Sequence, residues 1–228
     1  MGMRTILLTI VFALFARTAS ADWTNPYTGT HWNNPMSSLA DTMLRNNMNK
    51  MMLDAALKKS QGGTAPATTT TTPQPAVPHV SYDKTDFAPA KQRLVVDSII
   101  AGLAQTPDQR QGLGQGISAV FDAYEKQVRK NNVAYAVTFM VAVSLSVQTG
   151  QQVDDAQSEQ LAQAFNDSLA SNPAFAKASA TDRQKLYETC VTLGGLVVLF
   201  NEVGKKDPAS ANAAKALAKQ TLAMIGVK

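Results

Sequence analysis

From residue 81 onward the sequence predicts an all-α fold: a compact bundle of about six helices, two of them central and apolar. A separate amphipathic helix and a disordered linker precede it. Three observations predict this. Apolar residues recur at helical spacing through the whole of 81–228. Two runs, Val133 to Val147 and Cys190 to Phe200, are apolar on nearly every side, as helices enclosed by other helices are. No segment shows the strict apolar–polar alternation of a half-buried strand.

The chain opens on a tripartite export signal, residues 1–21. Arg4 supplies the positive start, Ile6 to Ala16 the apolar core, and Ala19-Ser20-Ala21 the small residues of a cleavage site. The core is shorter than the roughly 20 apolar residues of a membrane-spanning helix. The expectation is a cut before Asp22, an exported protein that is periplasmic or secreted, and no stable membrane insertion afterwards.

Residues 22–59 are expected to form an aromatic arm and a Met-rich amphipathic helix. Trp23, Tyr27 and Trp32 lie among Asn25-Pro26 and Asn34-Pro35, dipeptides that disfavour helix. A helix then starts near Ser38, with Ala40, Leu44, Met48, Met52 and Ala56 forming one row and Leu39, Met43, Met51 and Ala55 beside it. Gly62-Gly63 ends it. Residues 60–80, rich in threonine and proline from Pro66 to Pro78, read as a disordered linker.

The domain at 81–228 divides into helices at 89–105, 111–130, 132–148, 155–170, 182–204 and 208–225, with a short turn at Pro173 to Ala178. Asp154 or Asp155 caps the fourth, and Thr181 with Gln184 forms a capping box on the fifth. Asp207, Pro208 and Gly226 supply the cap, first position and stop of the last.

Charge excludes some partners. The whole chain carries 21 basic and 17 acidic residues, a net +4. Losing Arg4 and Arg17 with the signal leaves 19 against 17, or +2. No clustered basic patch of the kind nucleic-acid binding needs is present. The polar side of the 38–59 helix is mostly Asn46, Asn47, Asn49 and Asp54, unlike the basic face of an anionic-membrane binder.

Catalytic signals are weak. Gly112-Leu113-Gly114-Gln115-Gly116 lacks the third glycine and preceding strand of a dinucleotide loop and reads as a loop or helix start. Cys190 has no partner histidine in the domain and reads as a buried small residue. Asp122 with Lys126, Glu125 with Arg129, and Glu202 with Lys206 read as solvated i, i+4 pairs. Gly194-Gly195 in mid-helix implies close helix–helix approach, or else a ligand against bare backbone. A hydrolase reading would centre on Glu188 and Tyr187.

The interaction residues are therefore sought in the arm: Trp23, Trp32, Met43, Met48, Met51 and Met52. Methionine gives an adaptable apolar face for a partner helix or for the protein's own core. The alternative is a carrier: Cu(I) on His31, Met48, Met51 and Met52, since thioethers suit that ion, or a small ligand among the second, third and fifth helices of the domain. The reading is a non-enzymatic binding protein without a cofactor, acting through a protein partner or self-association.

Trp32-Asn33-Asn34-Pro35, Ser38-Leu39-Ala40-Asp41 and Asn172-Pro173-Ala174-Phe175 with its following capped helix resemble an uncharacterised family of exported bacterial helical proteins, a domain of unknown function. The resemblance covers the amphipathic helix and the bundle but not the threonine-rich linker. It implies a mostly helical bacterial protein bearing a signal peptide, and it supplies no catalytic residues.

Overall fold

The computed structural model describes residues 79–226. The export signal, the arm with Trp23, His31, Trp32, Met43, Met48, Met51 and Met52, and the linker up to residue 78 lie outside the described residues.

Seven α-helices follow a 3-10 turn at Tyr82–Thr85: α1 Val96–Leu103, α2 Pro107–Gln127, α3 Val133–Thr149, α4 Asp155–Ser171, α5 Pro173–Ala176, α6 Ala180–Gly204 and α7 Pro208–Met224. The described residues contain no strand, only an isolated antiparallel bridge between Asp86 and Asn132. The all-α bundle with two central apolar helices is what forms. α3 and α6 lie side by side, α7 packs on both, α4 covers α3, and α2 and α1 lie against α6. Burial explains the all-round apolarity of α3 and α6: Val137, Phe139, Val141, Val191, Leu196 and Val197 are all fully enclosed. By length and composition α6 could cross a membrane, but 78% of its apolar window is buried inside the bundle.

The two mid-helix glycines of α6 are contact points. A Cβ on Gly194 would lie 2.8 Å from the Phe139 ring of α3, and one on Gly195 would lie 2.9 Å from Val120 of α2. Protein side chains therefore occupy the space where a ligand could have met bare backbone, and close helix approach is the correct alternative. Gly204 makes a third such approach, to Ala211 of α7. On α3, Thr138 and Ser146 donate to the carbonyls of Ala134 and Ala142, each at 2.9 Å. Ser144 of the same helix is buried without a hydrogen-bond partner.

Several boundaries move for identifiable reasons. α2 starts at Pro107, not 111, because Thr106 and Gln109 form a full capping box with proline at the first position. The glycine-rich stretch 112–116 thus lies inside a helix. α2 stops at Gln127, which takes Arg129 off the helix. α6 starts at Ala180, capped by Ser179 accepting from the Asp182 N–H at 3.1 Å, so the Thr181–Gln184 capping box does not form. The caps at Asp154 and Asp207 form as expected, and Gly226 takes the left-handed conformation at φ 82°.

The largest correction is at residues 89–95. They were expected to be helical, but α1 begins only at Val96. Their backbone groups bond instead to side chains of α6. Gln184 accepts from the Ala90 N–H at 2.6 Å and donates to the Gln92 carbonyl at 3.0 Å. Residues 79–95 thus form a strap laid over the bundle. The linker, expected to reach residue 80, ends by His79.

Candidate functional site

The polar seam between this strap and the helices holds four of the titratable groups that the sequence singles out: Glu188, Tyr187, Glu125 and Arg129. Its innermost member is Glu188 of α6, fully buried. One carboxylate oxygen accepts from the backbone N–H groups of Leu94 and Val95, at 2.7 and 3.0 Å. The other accepts from the Gln184 side-chain amide at 2.7 Å. Val95, the N-cap residue of α1, provides no side-chain cap. Glu188 supplies that cap from another helix, placing negative charge at the helix's positive end.

Tyr187 beside it donates to Glu125 of α2 at 3.1 Å, and Glu125 pairs with Arg93 of the strap at 2.8 Å. Arg93 also lies over the Phe121 ring, 3.8 Å from its centroid. Burial, then the charge of Glu125 and the bond to it, push the Tyr187 phenol far above its usual range. Phe87 of the strap inserts edge-on against Tyr187, with centroids 5.3 Å apart.

Farther along, Arg129 pairs with both Asp83 and Asp86 of the strap. The expected Glu125–Arg129 pair is therefore replaced by two strap contacts, Glu125 with Arg93 and Arg129 with the aspartates. The bonds from Arg129, then Ser81, hold the exposed Asp83 carboxyl below the usual range. Asn132 caps α3 through Oδ1 and donates through Nδ2 to the Tyr82 carbonyl, Thr85 and Asp86. Tyr82 and Tyr135 pack at 4.9 Å and both donate to Glu159 of α4. Arg183 gathers the carbonyls of Lys84, Asp86 and Phe175.

Chemically, the arrangement fastens. Glu188 meets only N–H donors, and all of them belong to the protein's own seam. Cys190 is buried and free, and burial pushes its thiol up to about 12, leaving little thiolate at neutral pH. Among the described residues, no group of three or more His, Cys, Asp or Glu side chains is placed to hold a metal ion. Glu202 pairs with Lys205 at 2.6 Å on the surface.

A test of this seam uses two tyrosines of opposite circumstance. The Tyr124 hydroxyl is fully enclosed with no hydrogen-bond partner. The Tyr187 hydroxyl has Glu125. An unmade buried bond costs about 1–3 kcal/mol, whereas a bond to a charged group contributes about 1.5–3 kcal/mol. Tyr124→Phe is therefore expected to hold or raise stability, and Tyr187→Phe to lower it by about 1–2 kcal/mol. Urea unfolding midpoints check both signs.

Fold and seam together define an all-helical bundle domain with an N-terminal strap. The chain belongs to a family of unknown function, DUF6683, whose model matches residues 2–228. The match takes in the threonine-rich linker, which the short motifs had not reached. No curated protein and no solved structure matches the chain.

Proposed function

We propose that this chain is an exported, non-enzymatic binding protein whose contact element is the arm at 22–59. The observation that carries the reading is a contrast between two parts of the chain. Among the described residues, only Val80 and Val203 are large apolar side chains left exposed, so the bundle covers its own apolar faces. The arm concentrates Trp23, Trp32, Met43, Met48, Met51 and Met52 on a short segment whose apolar stripe needs a cover. Buried Glu188 and Cys190 and the internally bonded Tyr187 give the bundle a structural use for its reactive groups. Residues 1–21 carry the three parts of an export signal in order, which supports export.

Native mass spectrometry of the exported chain tests the arm. The chain is expected to appear as a self-assembled species or with a bound protein, and the variant lacking 22–60 as a bare monomer with unchanged thermal unfolding. The reading fails if the deletion leaves the assembly state as it was. The same spectrum reads the alternative, a Cu(I) ion or small ligand, as a mass excess on the full chain.

A further inference from the structure

We infer that residues 79–95 form a strap with an acid-released N-terminal end, which leaves the helical bundle as the Asp167 carboxylate that holds it is protonated while the bundle stays folded. The inference stands apart from the arm's proposed role.

The strap has little hydrogen bonding of its own beyond one 3-10 turn, and side chains of other elements hold it. At the N-terminal end, Asp167 of α4 accepts from the Val80 N–H and pairs with His79, both at 2.9 Å. Glu159 of α4 accepts from Tyr82, and also from Tyr135 of α3. Asp83 and Asp86 pair with Arg129. At the C-terminal end, Glu188 holds the Leu94 and Val95 N–H groups and Glu125 holds Arg93. Each end thus has carboxylates on its N–H groups, while Asn166 and Gln163 hold the Val80 carbonyl from the other side.

The middle is fastened differently. Asn166 bonds Thr85, Asn132 bonds Thr85 and the Tyr82 carbonyl, and Gln184 bonds Ala90. Arg183 of α6 faces the Lys84 and Asp86 carbonyls and keeps its charge in acid. These fastenings do not titrate there, and neither does the apolar packing of α3, α6 and α7. Acid therefore separates the N-terminal end from everything else.

The direction of the shifts gives the window. Burial alone would raise the Asp167 carboxyl, but His79, the Val80 N–H and Gln163 outweigh it and hold it low. Asp83 is held low as well. A group lowered on folding adds stability that is complete above its unfolded value, about 3.9 for Asp, and is lost as pH falls through the folded one. Release at the N-terminal end thus falls below about pH 4. Its consequence is local: once this end lifts, Phe87 stays packed against Tyr187, which Phe121 and Tyr124 of the bundle also touch.

Hydrogen exchange on the full chain, corrected for intrinsic rate at each pH, tests the idea. Between about pH 5 and pH 3, the Val80 amide should lose about tenfold or more of its protection while α3 and α6 keep theirs. A Val80 amide still protected at the acid end, or lost together with α3 and α6, overturns the inference. At pH 7, Asp167→Asn should raise exchange at Val80 about tenfold with α3 unchanged. Wild-type exchange in that variant overturns the role of the charge. If the variant does not fold, the wild-type pH series decides alone.

Discussion

Replacing Glu188 with leucine is expected to lower stability by about 3 kcal/mol, the low end of the sum for stranding three donors at about 1–3 kcal/mol each, because two of the three are only half-buried. The donors are the Leu94 and Val95 N–H groups and the Gln184 side-chain amide. Two effects compete. Leucine removes a buried carboxylate, whose desolvation is costly, and by itself that would stabilise. But the substitution removes only the acceptor. The Gln184 amide stays buried and the two N–H groups half-buried, and the N-cap residue of α1 loses its side-chain partner. The stranded donors therefore decide the sign. For a domain of this size, 1 kcal/mol moves the melting temperature by about 2–4 °C, so a fall of roughly 6–12 °C should be seen by calorimetry. A leucine variant melting with the wild type would show that the seam is not held by this carboxylate.

Gly204→Ala is the second large expected loss, about 2 kcal/mol. A Cβ there would lie 2.6 Å from the Cα and 2.7 Å from the N of Ala211. Alanine normally gains up to about 1 kcal/mol over glycine in a helix, an advantage reduced at the last residue of α6. Overpacking costs about 1–3 kcal/mol, and here the obstacle is backbone, which no rotamer change can move aside. The clash wins, and α6 and α7 must separate where they pack. Adding Ala211→Gly should give no rescue, because the Cα and N remain. At Gly195 the nearest obstacle is Cγ1 of Val120, so Val120→Ala should partly relieve Gly195→Ala. Denaturant unfolding of the four single and two double variants, in two cycles, distinguishes the cases. Equal rescue at both sites would refute the distinction.

The two glycine sites differ in how visible they were. Gly194-Gly195 stands inside an apolar helical run, where glycine costs stability and so demands an explanation. Gly204 sits at a helix end, where glycine is ordinary and nothing singles it out. The caps at Asp154 and Asp207 were legible because a cap is a local pattern. The Thr106-Pro107 start is equally local, but the glycines that follow it mask the helix signal.

The seam was hidden for a different reason. Glu188 was noticed because it interrupts an apolar helix, but its partners lie 93 and 94 residues away. Arg129 pairs with Asp86 across 43 residues and not with Glu125 four residues back, because α2 ends before it. Gln184 looked like half of a capping box and instead replaces the helical bonds of residues 90 and 92.

The sequence by itself determined the helices and their centre. A 3.6-residue period is encoded within each segment, and a helix apolar all round has only the interior to occupy. The tertiary structure alone decided that residues 79–95 form a strap and that Glu188 is its anchor. A backbone N–H takes whichever acceptor the fold brings near, and burial makes that choice obligatory without writing it into the local pattern.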